Sequence, residues 1–239
     1  MTDARPAAST ARDPSAGLIA PGTVVGGRFE IEVEIRADSL GKVFRAKDQK
    51  TQKPISLRVL RLDVLGEPGV KTLKEGCRAA AKLAHRNIAA TYGVGTKGAP
   101  FVASEWVEGQ PLAELIAKRR AAGGQMSLRG AYNVIAHVCN ALSAVHPTGC
   151  HGALRPEVVW VTKNGRVKVA DFGVGQALLL AGGPNVLPVE EQASLAPEVK
   201  AGGAPTASSD IFGVGAILYQ LLTGKSPADG FVPPSQAHP

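Results

Sequence analysis

The side chains with the clearest capacity for chemistry lie in the stretch His151–Gly173, HGALRPEVVWVTKNGRVKVADFG. It carries a guanidinium at Arg155 and a carboxylate at Asp171. A guanidinium pairs readily with phosphate oxygens, and a carboxylate is an oxygen ligand suited to Mg²⁺. Strand-forming residues on both sides of the Asn164-Gly165 turn predict a hairpin, with the two charged groups in the loops at its ends.

The spacing of this stretch resembles the catalytic core of protein kinases, H-R-D-x-K-x-x-N followed by D-F-G. His151 and Asp171-Phe172-Gly173 match the two ends of that pattern. In the family the histidine packs against the phenylalanine, so the resemblance implies a contact between His151 and Phe172. The two ends therefore predict the kinase architecture, and the style of the motifs is similar to that of bacterial Ser/Thr kinases.

The residues between these ends depart from the family pattern. Gly152 replaces the arginine that binds activation-loop phosphate, and Ala153 replaces the aspartate that accepts the substrate proton. Val158 replaces the asparagine that holds a second magnesium ion, whereas Arg155 replaces a lysine and keeps its charge. Asp171 is left as a possible single Mg²⁺ ligand. The resemblance thus implies no intact set of catalytic residues.

The chain before this stretch predicts a small antiparallel sheet with one helix. Alternating apolar and charged residues predict a strand over 29–36, and further strands are predicted over 42–47 and 55–60. A helix over 70–84 and two more strands follow. This order resembles the N-lobe of a protein kinase, and Glu105-Trp106-Val107-Glu108-Gly109 resembles its hinge.

The family's glycine-rich loop corresponds to residues 36–43, where only the third glycine, Gly41, is present. Glycines in that loop let backbone N–H groups approach the ATP phosphates. Asp38 would place a negative charge there, which Arg36 could partly offset. A hairpin without any ligand is an equally open interpretation.

The lysine that contacts ATP phosphates in the family is replaced by Arg58, which keeps the charge but not the shape. The family spacing puts Gly76 at the position of its glutamate partner, with Glu75 beside it. We therefore expect no activating ion pair unless the helix shifts so that Glu75 reaches Arg58. The relic nucleotide pocket implied by the resemblance consists of Gly41, Val43, Ser56, Arg58, Glu105, Trp106 and Trp160.

Trp160 occupies the strand position where active kinases carry a leucine-like residue beneath the adenine. Its indole could fill the adenine cavity as a built-in plug. The alternative is that Trp160 turns aside and enlarges the core.

The C-terminal half predicts a helix over 111–120 and a longer helix, capped by Ser127, that ends at His146. Gly182-Gly183-Pro184 and Pro188 predict that the segment 174–195 is a flexible loop. It has no Thr or Tyr and a single Ser, Ser194, so a phosphorylation switch of the usual kind is not expected.

The last family motifs are Ala196-Pro197-Glu198 and a stretch that resembles the start of helix F. There Asp210 matches the buried aspartate that tethers the catalytic-loop backbone. The remaining family helices are missing after Pro227, including the arginine that pairs with Glu198. The exposed apolar face of helix F predicts a protein partner, self-association or marginal stability, and a fragment of a longer protein would look the same.

The predicted fold class is α+β: a bilobal protein kinase-like fold with a five-stranded antiparallel N-lobe sheet plus helix C, and a mostly helical partial C-lobe. The predicted boundaries are a disordered tail over 1–22, the N-lobe over 23–107, the partial C-lobe over 108–229 and a flexible tail over 230–239. The net charge of +7 and three widely spaced cysteines are compatible with a cytoplasmic protein. No apolar run is long enough to predict a membrane span.

Loss of the base and of a metal ligand, with a degraded phosphate loop, removes positioning and charge stabilisation from phosphoryl transfer. The sequence predicts a catalytically inactive kinase-like module, a pseudokinase, that acts by protein binding or regulation with weak or no ATP binding. The alternative is a weak Ser/Thr kinase that binds ATP with Mg²⁺ or Mn²⁺ through Arg58, Arg155 and Asp171. A third interpretation, a basic nucleic-acid binder, lacks an aromatic stacking surface, so no nucleic-acid partner is predicted.

Overall fold

The computed structural model describes residues 19–38, 41–96 and 99–237. Residues 39–40 of the stretch that corresponds to the glycine-rich loop, and most of the predicted N-terminal tail, lie outside the described residues. Within those ranges, no helix is both long and apolar enough to cross a membrane.

The N-terminal half forms an antiparallel sheet of six strands in the order β1-β2-β3-β4-β6-β5. The strands are β1 (Val24–Val25), β2 (Phe29–Asp38), β3 (Gly41–Asp48), β4 (Pro54–Leu60), β5 (Thr91–Gly95) and β6 (Phe101–Glu105). The prediction of five strands was one too few, because β1 has only two residues and shows no alternation. The buried face includes Phe44 and Leu57, and Phe29 meets Phe101 edge to face with ring centroids 5.9 Å apart.

Helix α1 (Leu62–Ala80) begins eight residues before the predicted start at Val70. Gly66 has φ 58° and Pro68 follows it, so the helix is kinked there and only its second part has a regular apolar pattern. The kink explains why the first turns are not predicted from the sequence. Leu73 and Cys77, after the kink, are buried.

The rest of the chain is mostly helical. Its elements are β7 (Gly109–Pro111), α2 (Leu112–Ala121), α3 (Leu128–Val145), β8 (Val159–Thr162), β9 (Val167–Val169), α4 (Val174–Gly182), α5 (Val189–Gln192), α6 (Pro197–Lys200), α7 (Ala207–Thr223) and α8 (Pro234–Ala237). Strands β7, β8 and β9 form a small antiparallel sheet. The predicted Ser127 cap is confirmed, since its hydroxyl accepts a hydrogen bond of 3.2 Å from the backbone N–H of Gly130.

Helix α7 has one face in the core and one apolar face exposed. Val214 and Ile217 are buried, whereas 56% of Ile211 is exposed. The Phe231 ring stacks on Tyr219 with centroids 5.5 Å apart, so the segment predicted as a tail lies against this helix. Between them is an open apolar groove of about 560 Å³.

The prediction of a flexible loop over 174–195 was wrong. Residues 174–182 form helix α4, and Gly183, with φ 68°, ends it. The run of Ala and Leu before Gly182 supports a helix, and the glycines and prolines that suggested a loop act only at its C-terminal end.

Helix α4 packs closely on α1 through residues without bulky side chains. A Cβ atom built on Gly76 would lie 2.9 Å from the Cα atom of Gly173, and one built on Gly69 would lie 2.7 Å from the Cβ atom of Ala181. Real Cβ atoms do not approach so closely, so glycine is required at both positions for this contact. We call this contact the α1–α4 seam.

Replacing Gly76 with alanine is expected to destabilise the protein by about 1–3 kcal/mol, because the added methyl group forces the seam apart. The matched control is Gly215→Ala in α7, where an added Cβ meets no atom within 4 Å. That change is expected to stabilise the protein by up to about 1 kcal/mol through helix propensity alone. Urea unfolding of both variants measures the difference, and equal effects would contradict close packing at the seam.

Candidate functional site

The catalytic-loop motif is held in place by buried polar contacts. The backbone N–H groups of His151 and Gly152 donate to the carboxylate of Asp210 at 2.7 and 2.9 Å. This confirms the predicted tether from the start of α7. Nε2 of His146 lies 3.0 Å from the same carboxylate, so three groups fix its orientation.

The contact between His151 and Phe172 is also confirmed, with ring centroids 4.7 Å apart in an edge-to-face arrangement. His151 is fully buried, and burial lowers the pKa of its imidazole. Its Nε2 donates to the carbonyl of Ala170 at 2.9 Å, and its Nδ1 accepts from the backbone N–H of Ala153 at 3.3 Å. Both contacts fit a neutral ring with the proton on Nε2, which ties the catalytic loop to the strand before Asp171.

Ala153, at the position of the family's proton acceptor, lies in an apolar core. Only 1% of its surface is exposed, and it is clustered with side chains of α1 and α4, including Cys77 and Ala177. A Cβ atom built on Gly175 of α4 would lie 2.5 Å from the Cβ atom of Ala153. Helix α4 therefore covers the place where a substrate hydroxyl would meet a catalytic aspartate.

Arg58 on β4 contacts the one carboxylate that could bind a metal ion. Its Nη2 lies 3.1 Å from Oδ2 of Asp171, and the two side chains are 4% and 18% exposed. Burial alone would raise the pKa of Asp171, but the positive charge of Arg58 and of other nearby arginines brings it below its usual value. Glu75, the partner expected if the helix shifted, is exposed on α1.

Arg155 bonds to Glu191 and to the backbone of the catalytic loop. Its Nε donates to Oε2 of Glu191 on α5 at 2.5 Å, and its Nη1 donates to the carbonyl of Ala153 at 3.0 Å. The structure thus separates the trio Arg58, Arg155 and Asp171 into two ion pairs. Ser194, the single hydroxyl in segment 174–195, is buried and receives a hydrogen bond of 3.4 Å from Gln220.

The structure brings most of the predicted pocket residues together around one cavity. Val43, Ser56, Arg58, Glu105, Trp106 and Trp160 all line it. Gly41 does not, although its φ of 140° shows why glycine is needed at that end of β3. The sequence did not predict that Ser104, Val107 and Ala170 line the pocket. Their only indication in the sequence was that they adjoin the hinge residues or Asp171.

Trp160 occupies the floor of this cavity. It is half-buried and packs against Ala89, Val107 and Ala170. Glu105, at the predicted hinge, is held by Lys168, whose Nζ lies 2.9 Å from its Oε2. The cavity measures about 20 Å³, which is room for roughly one water molecule.

A nucleotide with its metal ion does not fit this arrangement. Ligand pockets typically measure about 300–1,000 Å³, far more than the space here. Asp171 already pairs with Arg58, and Val158, where the family has a second metal ligand, is fully buried. Among the described residues no group of three or more His, Cys, Asp or Glu side chains could hold a metal ion.

Comparison with known proteins identifies the fold family. The profile of the protein kinase domain matches residues 29–233. The chain belongs to the protein kinase family. Relatives of this kinase-family chain include the serine/threonine-protein kinase PknL of Mycobacterium tuberculosis, which is 30% identical over 211 residues. The probable serine/threonine-protein kinase PknB of Corynebacterium glutamicum is 28% identical over 220 residues.

These alignments cover 87% and 88% of this chain but only 52% of PknL and 33% of PknB. The chain thus spans about a third to a half of the length of these relatives.

Solved structures agree on the fold. A double mutant of the PknI kinase domain of Mycobacterium tuberculosis superimposes with a TM-score of 0.78 at 21% sequence identity, covering 92% of this chain and 84% of that one. Another PknI kinase-domain structure gives a TM-score of 0.74 at 20% identity, covering 87% and 77%. The kinase fold predicted from the sequence is confirmed, including its α+β class and sheet-rich N-lobe.

Proposed function

We propose that this member of the protein kinase family is a pseudokinase, a bacterial cytoplasmic signalling module that acts by binding or regulating a protein partner and does not transfer phosphoryl groups. The observation that carries the proposal is the burial of Ala153 under α4. Phosphoryl-transfer catalysis consists almost entirely of positioning the nucleophile and stabilising charge. A methyl group in an apolar core supplies neither.

The Arg58–Asp171 ion pair supports the same conclusion for nucleotide binding. In the family an aspartate at this position binds Mg²⁺, which neutralises the phosphates. Here a guanidinium lies against that carboxylate, so both charged groups are already paired with each other. A metal ion would have to displace a buried cation, which costs the ion pair and its hydrogen bond.

The test uses the full chain with radiolabelled ATP and either Mg²⁺ or Mn²⁺, a basic acceptor protein, and the variant Asp171→Ala as control. We expect transfer no higher than that of the control, and no rise in Tm when ATP is added. Transfer that Asp171→Ala abolishes would overturn the proposal and favour the weak-kinase alternative.

The variant Trp160→Leu tests whether the Trp160 indole or the Arg58–Asp171 ion pair closes the cleft. Replacing the indole enlarges the adenine cavity, so metal-free ATP at about ten times its Kd should raise the Tm of this variant by about 3–6 °C. The parent should show no such rise. If Trp160→Leu gains nothing, the indole does not act as a plug, and the Arg58–Asp171 pair alone accounts for a closed cleft.

A further inference from the structure

Three charged side chains meet where the catalytic loop contacts segment 174–195. Arg155 is buried, with 3% of its side chain exposed, and its Nε bonds to Oε2 of Glu191 at 2.5 Å. A second carboxylate is close by, since Oε2 of Glu157 lies 3.8 Å from the same Nε. One buried cation thus faces two carboxylates, of which only Glu191 belongs to segment 174–195.

Glu157 lies close to Arg155 but beyond hydrogen-bond distance of its Nε. Its Oε2 is buried and has no hydrogen-bond partner among the residues that the structure describes. A buried acceptor without a donor is costly and rare in folded proteins. Burial, and the negative charge of Glu191 next to it, raise the pKa of this carboxyl, and together they outweigh the opposite effect of Arg155.

Segment 174–195 is attached to the rest of the domain by two different kinds of contact. Helix α4 is held by apolar packing at the α1–α4 seam and against Ala153. Helix α5 is held by the ion pair of Glu191 with Arg155, an interaction that has a defined partner and a short range. Leu187 and Leu195, on either side of α5, are buried in the same apolar cluster as α4, whereas no residue of α5 itself is buried. The ion pair is therefore the charged contact that holds α5 itself against the catalytic loop.

We propose that the Arg155–Glu191 ion pair is a latch that holds the α5 end of segment 174–195 over the catalytic loop, and that Glu157 receives Arg155 when the latch opens. Opening the latch without Glu157 would leave a buried guanidinium without a carboxylate, which is strongly unfavourable. A shift of about 1 Å in the guanidinium brings it within hydrogen-bond distance of Glu157. The segment then has two defined arrangements, which is the physical requirement for a switch.

This inference concerns the mobility of the segment and holds whether or not the cleft binds a nucleotide. It assigns Arg155, at the family's lysine position, a positioning function that involves no phosphate. It also explains the proximity of Glu157 and Glu191, which would otherwise only repel each other.

Hydrogen exchange of residues 184–195 in the full chain, followed by mass spectrometry, tests the latch. Glu191→Gln should raise exchange in this segment about tenfold, because a local opening is made easier while the rest of the domain stays folded. Glu190→Gln, on the exposed side of the same helix, is the matched control and should change the rate less than about twofold. Equal rates in the two variants would overturn the latch.

The double variant Glu157→Gln, Glu191→Gln tests the second partner. Glu157→Gln alone should slow exchange of the segment about tenfold, because it removes the carboxylate that receives Arg155 in the open arrangement. In the double variant the two changes should nearly cancel, so the segment should exchange within about twofold of the parent. A double variant that exchanges as fast as Glu191→Gln alone would show that Arg155 does not move to Glu157.

If the double variant does not fold, Arg155→Met still tests whether Glu191 holds the segment through Arg155. Without the guanidinium, Glu191→Gln should leave exchange of the segment within about twofold of the Arg155→Met parent. A tenfold acceleration in that background would mean that Glu191 holds the segment through another group, and the latch would be refuted.

Discussion

Replacing Ala153 with aspartate is expected to destabilise the protein by about 3–5 kcal/mol and to restore no phosphoryl transfer. The change recreates the family residue at the catalytic position. Here, however, that position is 1% exposed and lined by apolar side chains of α1 and α4. An ionised carboxylate among these apolar side chains loses its hydration, so the folded state loses stability or the group stays protonated.

Ala153→Asn is the matched control for this prediction, because it adds the same volume without a charge. Overpacking alone should cost it about 1–3 kcal/mol, so the difference between the two variants measures the charge. Urea unfolding at pH 7 gives both values, and the radiolabel assay is repeated on each variant. Transfer by Ala153→Asp above the parent would show that α4 leaves the catalytic position readily, against the burial described above.

Replacing Arg58 with methionine is expected to destabilise the protein by about 2–4 kcal/mol, because it leaves the Asp171 carboxylate largely buried without its cation. The lower end of this range takes into account that 18% of the Asp171 side chain is exposed, so that water partly stabilises its charge. Combining Arg58→Met with Asp171→Leu should recover most of this loss, since two apolar residues replace a pair that is costly to desolvate. Lys42→Met removes one member of the exposed pair with Glu34 and should cost less than about 1 kcal/mol.

The pH dependence of stability gives an independent check on the Arg58–Asp171 pair. The pKa of Asp171 in the folded protein lies below its ordinary value, because nearby arginines outweigh burial. Its contribution is therefore fully present above about pH 4, the ordinary value in the unfolded chain, and is lost as the pH falls through the folded pKa. Arg58→Met should lose this part of the acid dependence, and an unchanged pH profile would contradict the pairing.

The sequence predicted the contacts that hold the kinase architecture. The resemblance of His151, Phe172 and Asp210 to the kinase motifs implied both the ring contact and the tether, since these groups keep their family partners. The strands of the N-terminal sheet were predicted because alternation of side chains across a half-buried strand is visible residue by residue. Both kinds of signal are local or motif-based.

The features that close the site were not predicted, because they depend on contacts between distant parts of the chain. Arg58 and Asp171 are 113 residues apart. The sequence offered Arg58 only a conditional partner, Glu75, which required a shift of the helix. The helical state of α4 was obscured by the glycines and prolines at its end. The burial of Ala153 follows from that helix, so it could not be inferred before the helix was known.

The contact between Ala153 and Gly175 has a consequence for the evolutionary history of the domain. Once α4 occupied the catalytic position, aspartate at residue 153 and a larger residue at 175 each became sterically incompatible with the folded chain. Gly76 is restricted in the same way by Gly173. A return to the family's catalytic residues would then require several substitutions at once, because each single step lowers stability. Such epistasis would act as an evolutionary ratchet against a return by single mutations.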